Sequence, residues 1–285
     1  MKAMQARWHC IEDGAAKCGL CFRGCVIRPG GAGYCGARSW DGENFTSPYL
    51  GRFSSCAVDP IEKKPIYHWR AGSRIFSLGG IGCNMRCPFC QNHTIAQPPD
   101  MNMPLADIAP EELVLQVQGR RLSSVAYTYN EPILQAEYIL EAAPFLKNAG
   151  IASVLVTNGM FSREVLNDLV PWIDAANVDV KTFDSEKYAT LSGSLDVVRE
   201  NVESMARAGV HVELTNLVTP GISDSPENFE HMVDWIADVS ADMPLHISRY
   251  FPAHRYSASP TDIDLLLRFE ALAKRKLKRV HLGNV

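Results

Sequence analysis

At 285 residues the chain can form one large domain, and 46% apolar with 21% charged residues is an ordinary globular composition. A formal charge of −4 leaves no basic footprint for nucleic acid and argues against an anionic membrane surface. The opening MKAMQARWHC has no apolar signal core, and no apolar run reaches the ~18 residues of a membrane helix, so the expected compartment is the cytosol.

Nine cysteines without a signal peptide read as metal ligands rather than disulfides. The first fifty residues form a cysteine-rich head, in which CGLCFRGC supplies Cys18, Cys21 and Cys25, and GGAGYCGAR adds Cys35. Such a set can hold one tetrahedral ion, and a four-cysteine zinc site or a second iron–sulfur cluster both satisfy the spacing. With few large aliphatics, the head would struggle to fold alone, and a metal staple is the economical explanation; the alternative is free cysteines that merely lie close in sequence. Cys10 and Cys56 receive no role. Residues 51–73 read as an irregular connector, with Pro60 and Pro65 inside it and the dense run DPIEKKPIYHW from Asp59 to Trp69.

From Arg74 onward, strand-like and helix-like patterns alternate. Strands are predicted at 74–78, 123–128, 152–157, 177–180, 211–218, 245–250 and 279–283. Helices are predicted at 110–120, 133–148, 163–172, 195–207, 226–239 and 261–276. Pro226 after Ser225 is a helix start, and Gly150 and Gly209 are helix stops. Alternation of this kind gives a parallel sheet covered by helices. With about six units and no GxGxxG turn, the predicted fold is α/β: a partial, open TIM-type (β/α)6 barrel over 74–285, preceded by the extension and connector over 1–73. In such a barrel the carboxyl ends of strands carry function. Those ends here are YTYNEP, Thr157-Asn158-Gly159, Asp179-Val180-Lys181, Thr219-Pro220-Gly221 and the strand with His246, Ser248 and Arg249. Asp179 and Lys181 share a face because side chains alternate.

The first barrel strand runs into FSLGGIGCNMRCPFCQNHTI, where Cys83, Cys87 and Cys90 follow three glycines in a C-x3-C-x2-C spacing. Three thiolates in one loop can hold three irons of a [4Fe–4S] cube and leave the fourth open for chemistry. A zinc knuckle completed by His93 is the alternative.

This loop, with Phe89 before its last cysteine, resembles the radical S-adenosylmethionine (SAM) superfamily. The ordered set CGLCFRGC, GGAGYCGAR, DPIEKKPIYHW, GCNMRCPFCQN, YTYNEP, TNG, DAANVDVK, LVTPGISDS, LHISRYFP and HLGNV is similar to the AmmeMemoRadiSam-system radical SAM enzymes, relatives of the pyruvate formate-lyase activating enzymes. The resemblance runs from Cys18 to Val285. Members of that group usually continue past the GN dipeptide into a cysteine-containing tail, whereas this sequence ends at Asn284-Val285.

The resemblance implies an oxygen-sensitive enzyme that cleaves SAM reductively to a 5′-deoxyadenosyl radical, which then abstracts hydrogen from a substrate. It makes Cys83, Cys87 and Cys90 the cluster ligands. Asn130 and Glu131 would stand near the amino group of SAM, and Asp179 and Lys181 near its ribose and carboxylate. Thr157, Asn158 and His246 would line the same pocket. DPIEKKPIYHW would flank the substrate mouth. A ferredoxin or flavodoxin would supply electrons, and the partners implied are Memo-type and AMMECR-type proteins or a protein or peptide substrate. Two other functions fit parts of the pattern: a glycyl-radical-enzyme activating enzyme, and a zinc-stapled binding protein without catalysis.

Overall fold

The computed structural model describes residues 4–98 and 102–285. Its centre is an eight-stranded sheet: β1 (Ser55–Pro60), β2 (Arg74–Gly79), β3 (Ser124–Tyr127), β4 (Ala152–Thr157), β5 (Ala175–Asp179), β6 (His211–Val218), β7 (Leu245–Arg249) and β8 (Val280–Gly283). The spatial order is the chain order, with β2 to β8 all parallel and β1 antiparallel to β2. Seven parallel strands need six crossovers, and helices fill them. The sheet remains open between β8 and β1, so the fold is the partial α/β barrel expected.

The crossover helices follow local rules. Leu195–Arg207 buries Leu195, Val198, Val202 and Met205, a stripe spaced three and four apart, and Ser194 caps its start by accepting from Val197 N. Pro226–Ser240 begins with proline after the capping Ser225, whose Oγ accepts from Asn228 N. Gly150 and Gly209 stop the preceding helices at φ +69° and +85°, where a side chain would be strained. The predicted helices over 133–148 and 163–172 each divide into an α segment and a 3₁₀ turn, the latter at Pro132–Gln135 and Val170–Trp172.

One correction concerns the expected connector over 51–73. Ser55–Pro60 within it is a regular strand, in register from Ser55 opposite Gly79 to Pro60 opposite Arg74. Pro60 is tolerated because it ends an edge strand. The head carries a sheet of three strands, His9–Glu12, Ala15–Cys18 and Val26–Ile27, and another of four very short strands. Its Trp8, Leu20, Ile27 and Phe45 belong to the same apolar core as the barrel. The buried Arg38 guanidinium grips Glu137 of helix Ala136–Asn148 through two hydrogen bonds of 2.8 and 2.7 Å. Among the described residues no helix is long and apolar enough to cross a membrane.

Candidate active site

A cavity of about 320 Å³ opens at the carboxyl ends of the parallel strands. Its lining includes Cys83, Cys87 and Cys90, the carboxylate of Glu131 with Thr157 and Asn158, and the pair Asp179 and Lys181. The cysteine loop is short-turned. Gly82 at φ +88° lets the chain double back, and its N–H donates to Ile95 O at 2.8 Å. Cys83 Sγ accepts from Met85 N at 3.4 Å and Asn158 Nδ2 at 3.7 Å. Burial pushes the Cys87 thiol up to about 11, and raises those of Cys83 and Cys90 as well. Thiolates in such surroundings need a cation to hold their charge.

His93, the alternative fourth ligand of a zinc knuckle, bonds through Nδ1 to Cys90 O at 3.2 Å and stacks on His254 with ring centroids 4.3 Å apart. Among the described residues no three His, Cys, Asp or Glu side chains gather to hold a single metal ion. Among the described residues Cys83, Cys87 and Cys90 are the cysteines lining the cavity, and three thiolate donors can ligate three irons of a [4Fe–4S] cube and leave the fourth open.

Glu131 is almost fully buried, and three donors hold it: Ile133 N at 3.1 Å, Thr157 Oγ1 at 2.7 Å and Asn158 N at 2.9 Å. Burial still dominates, and pushes its carboxyl up to about 7 against those hydrogen bonds. Lys181 Nζ lies 3.0 Å from Asp179 Oδ2. Burial disfavours the Lys181 ammonium, but the Asp179 carboxylate together with the nearby Cys87 thiolate outweighs it and holds the lysine above its usual range. Asn130 is fully engaged: its Oδ1 accepts from Gly80 N at 2.8 Å and its Nδ2 donates to Gly82 O at 3.0 Å. It clamps the glycine run that delivers the cysteines.

His246 does not reach the cavity. It is 3% exposed and bonds to Glu213 Oε2 at 2.6 Å, toward the amino end of the barrel. Ser248, two residues later on the same face, lines the cavity instead. DPIEKKPIYHW also departs from expectation: rather than flanking the mouth, it plugs the barrel from below. Glu213 accepts from Tyr67 N at 3.0 Å and His68 N at 2.7 Å, and Asn177 Nδ2 donates to Pro65 O at 2.8 Å. Lys63, Lys64 and Pro65 thereby become the cavity floor. No sequence argument singled out Lys64 or Tyr129 as a pair; the density of charged and aromatic residues in that motif was the available signal.

In the head, Cys18 is buried and Cys21, Cys25 and Cys35 are partly buried, and burial pushes the Cys18 thiol up to about 11 and Cys21 to about 12. Their thiols are near enough to raise one another further.

A partial parallel barrel with three cysteines, a buried carboxylate and an acid–base pair at its mouth defines a cofactor-binding α/β enzyme scaffold. The model of the Radical SAM superfamily matches residues 78–236, and the chain belongs to that superfamily. An uncharacterized protein of Methanocaldococcus jannaschii is 32% identical over 282 residues, covering 96% of this chain and 83% of that protein. A pyruvate formate-lyase-activating enzyme of Clostridium pasteurianum is 24% identical over 211 residues, covering 70% of this chain and 85% of that protein. Among solved structures, Streptococcus suis SuiB bound to precursor peptide SuiA is similar in fold, with a TM-score of 0.54 and 16% identity, covering 71% of this chain and 46% of SuiB.

Proposed function

We propose that the chain is a radical SAM enzyme of the AmmeMemoRadiSam type, with Cys83, Cys87 and Cys90 holding a [4Fe–4S] cluster and the cavity binding SAM. The observation that carries this reading is the convergence of those three thiols with Glu131 and the Asp179–Lys181 pair on one cavity. The donor set fits: three sulfur ligands leave one iron open, and a carboxylate and an ammonium stand ready for a zwitterionic methionyl group. Bound together, the cluster and SAM supply one-electron cleavage of a sulfonium and a carbon radical for hydrogen abstraction.

The chain's own residues bind and orient. Glu131, fixed by Thr157 and Asn158, accepts hydrogen bonds from the amino group of SAM. Lys181 faces its carboxylate and Asp179 its ribose hydroxyls. The plug beneath the cavity excludes water from a reaction that would otherwise attack solvent-exposed groups. An electron-transfer protein of the ferredoxin or flavodoxin class delivers electrons, and Memo-type or AMMECR-type proteins are the partners that the ordered motifs suggest. For the four head cysteines we propose a zinc ion or an auxiliary cluster, either of which would have to draw together thiols that form no closed metal site as they stand.

The activating-enzyme relatives favour a second reading, in which the substrate is a glycine of a partner enzyme. Mixing reduced protein, SAM and a candidate glycyl-radical enzyme separates the two: a stable glycyl doublet in electron paramagnetic resonance supports the activase. The zinc-stapled, non-catalytic reading finds no support in a superfamily whose members are enzymes. The first reading is tested by anaerobic reconstitution. Four irons at the Cys83 loop and release of 5′-deoxyadenosine under dithionite support it, and their absence removes it.

A further inference from the structure

The floor of the cavity carries charge that SAM does not need. Lys64 is 2% exposed and borders the cavity from below. Its ammonium donates to Asp59 Oδ2 at 2.8 Å and lies 4.2 Å from the centroid of the Tyr129 ring. Tyr129 Oη donates to the same carboxylate oxygen at 2.6 Å. Lys63, whose side chain is 69% exposed, places its Nζ 3.6 Å from Asp59 Oδ1 and borders the same cavity. Two ammonium groups share one carboxylate, so the floor has a net positive charge. A buried ammonium has three donors, and among the described residues Asp59 is the one acceptor that Lys64 meets.

The arrangement is held from several sides. Tyr129 sits at φ +71°, a conformation that costs an aromatic residue and persists only where the surroundings enforce it. Its ring passes over Gly79, where an added Cβ would lie 2.8 Å from Tyr129 Cδ2. Glu213 and Asn177 fix the chain that follows Lys64. Asp59 pairs with Ile75, near the start of β2, whereas the cysteine loop follows the end of that strand. The lysines and the cysteines therefore approach the cavity from opposite ends of the barrel.

We infer that Lys63 and Lys64 bind an anionic group of the substrate, a carboxylate or phosphate, and so present its far end to the cysteine wall. The inference rests on the radical SAM reading of the cavity. Anchoring one end of a substrate converts a bimolecular abstraction into an oriented one.

Holoenzyme reconstituted anaerobically and saturated with SAM is titrated calorimetrically with inorganic phosphate and, separately, with succinate. Saturable binding of either is expected, and the stronger of the two names the anion. Lys63→Gln and Lys64→Met should each weaken it by about tenfold or more, the effect of losing a charge-assisted hydrogen bond. Lys274→Gln, just past the end of the outer helix Ile263–Ala273, should not. Lys64→Met removes the buried cation that pairs with Asp59 and can unfold the chain; Lys63→Gln, at an exposed position, keeps the test decisive. Equal affinity in Lys63→Gln and Lys274→Gln overturns the inference, as does binding that occurs only when SAM is omitted. Holoenzyme that cleaves SAM yet binds neither anion overturns the subsite alone. Failure to cleave SAM overturns the radical reading itself.

Discussion

Arg23, between two of the head cysteines, donates through Nε to the carbonyl of Asn84 at 3.0 Å, the residue that follows Cys83. A second bond from its Nη2 reaches Ser192 O at 2.8 Å. The ring of Tyr34, the neighbour of Cys35, meets two guanidinium groups, with Arg23 Cζ 3.7 Å and Arg86 Cζ 4.4 Å from its centroid. Arg86 in turn donates to Cys83 O at 2.7 Å. The head, through Arg23, thus satisfies the Asn84 carbonyl of the loop that carries the cysteines, while Arg86 of the loop itself satisfies that of Cys83.

Arg23→Ala should cost that loop about 2 kcal/mol, the worth of one or two charged hydrogen bonds in a half-buried setting. Hydrogen exchange at residues 84–87 should accelerate, and iron retained after anaerobic gel filtration should fall. Unchanged exchange in this variant would separate the head from the loop.

Two buried glutamates should titrate with opposite sign. Burial pushes the Glu213 carboxyl up, but hydrogen bonds from His211, His246 and the Tyr67 and His68 amides reverse it, holding it well below its ordinary value of 4.5. Its stabilisation is fully present above pH 4.5 and is lost as pH falls toward the folded value. Glu213→Ala should therefore cost about 3 kcal/mol at neutral pH, with the gap to wild type closing in acid. Denaturant titrations at several pH values measure it.

Glu131 behaves in reverse. With its folded value raised from 4.5 to about 7, the contribution of Glu131 to the stability of the ligand-free chain is fully present below pH 4.5 and is lost as pH rises through 7. The shift corresponds to about 3 kcal/mol. Glu131→Gln should be more stable than wild type at pH above about 8 in the absence of SAM, and should bind SAM about tenfold or more weakly. A variant that is destabilised at high pH, or that binds SAM normally, contradicts this assignment.

Gly79→Ala tests the packing of Tyr129. The added Cβ would lie 2.8 Å from Cδ2 and 3.2 Å from Cβ of that residue, with Ser55 Cβ at 3.3 Å behind it. An overpacked site of this kind costs about 1–3 kcal/mol. Loss of the Tyr129–Asp59 hydrogen bond should appear as a downfield-to-upfield change in the phenolic proton resonance, with Gly80→Ala as the neighbouring comparison.

Much of this architecture is written in local patterns. Alternation of strand and helix from Arg74 predicts the barrel because each period lasts long enough to read, and β4 and β6 coincide with their predicted bounds. Asp179 and Lys181 meet as side-chain alternation requires. His246 shows where that reasoning stops. Its inward face is correct, since it shares parity with Ser248, but height along the barrel depends on how strands are staggered, which no single strand reveals. The plug was equally hidden. Tyr67 and His68 lie 145 residues or more from Glu213 in the chain, and only the fold brings a carboxylate to two amides. The two- to four-residue strands of the head are too short for periodicity to register, and Ser55–Pro60, six residues long, ends in Asp-Pro at a sheet edge and shows no clean apolar alternation.

The most direct test is the yield of 5′-deoxyadenosine from SAM by anaerobically reconstituted, dithionite-reduced protein, compared between wild type and Cys87→Ala. Release of the nucleoside by wild type and its loss in the variant is the expected result. Undiminished release from Cys87→Ala, or none from wild type containing a full cluster, would contradict the assignment of this cavity.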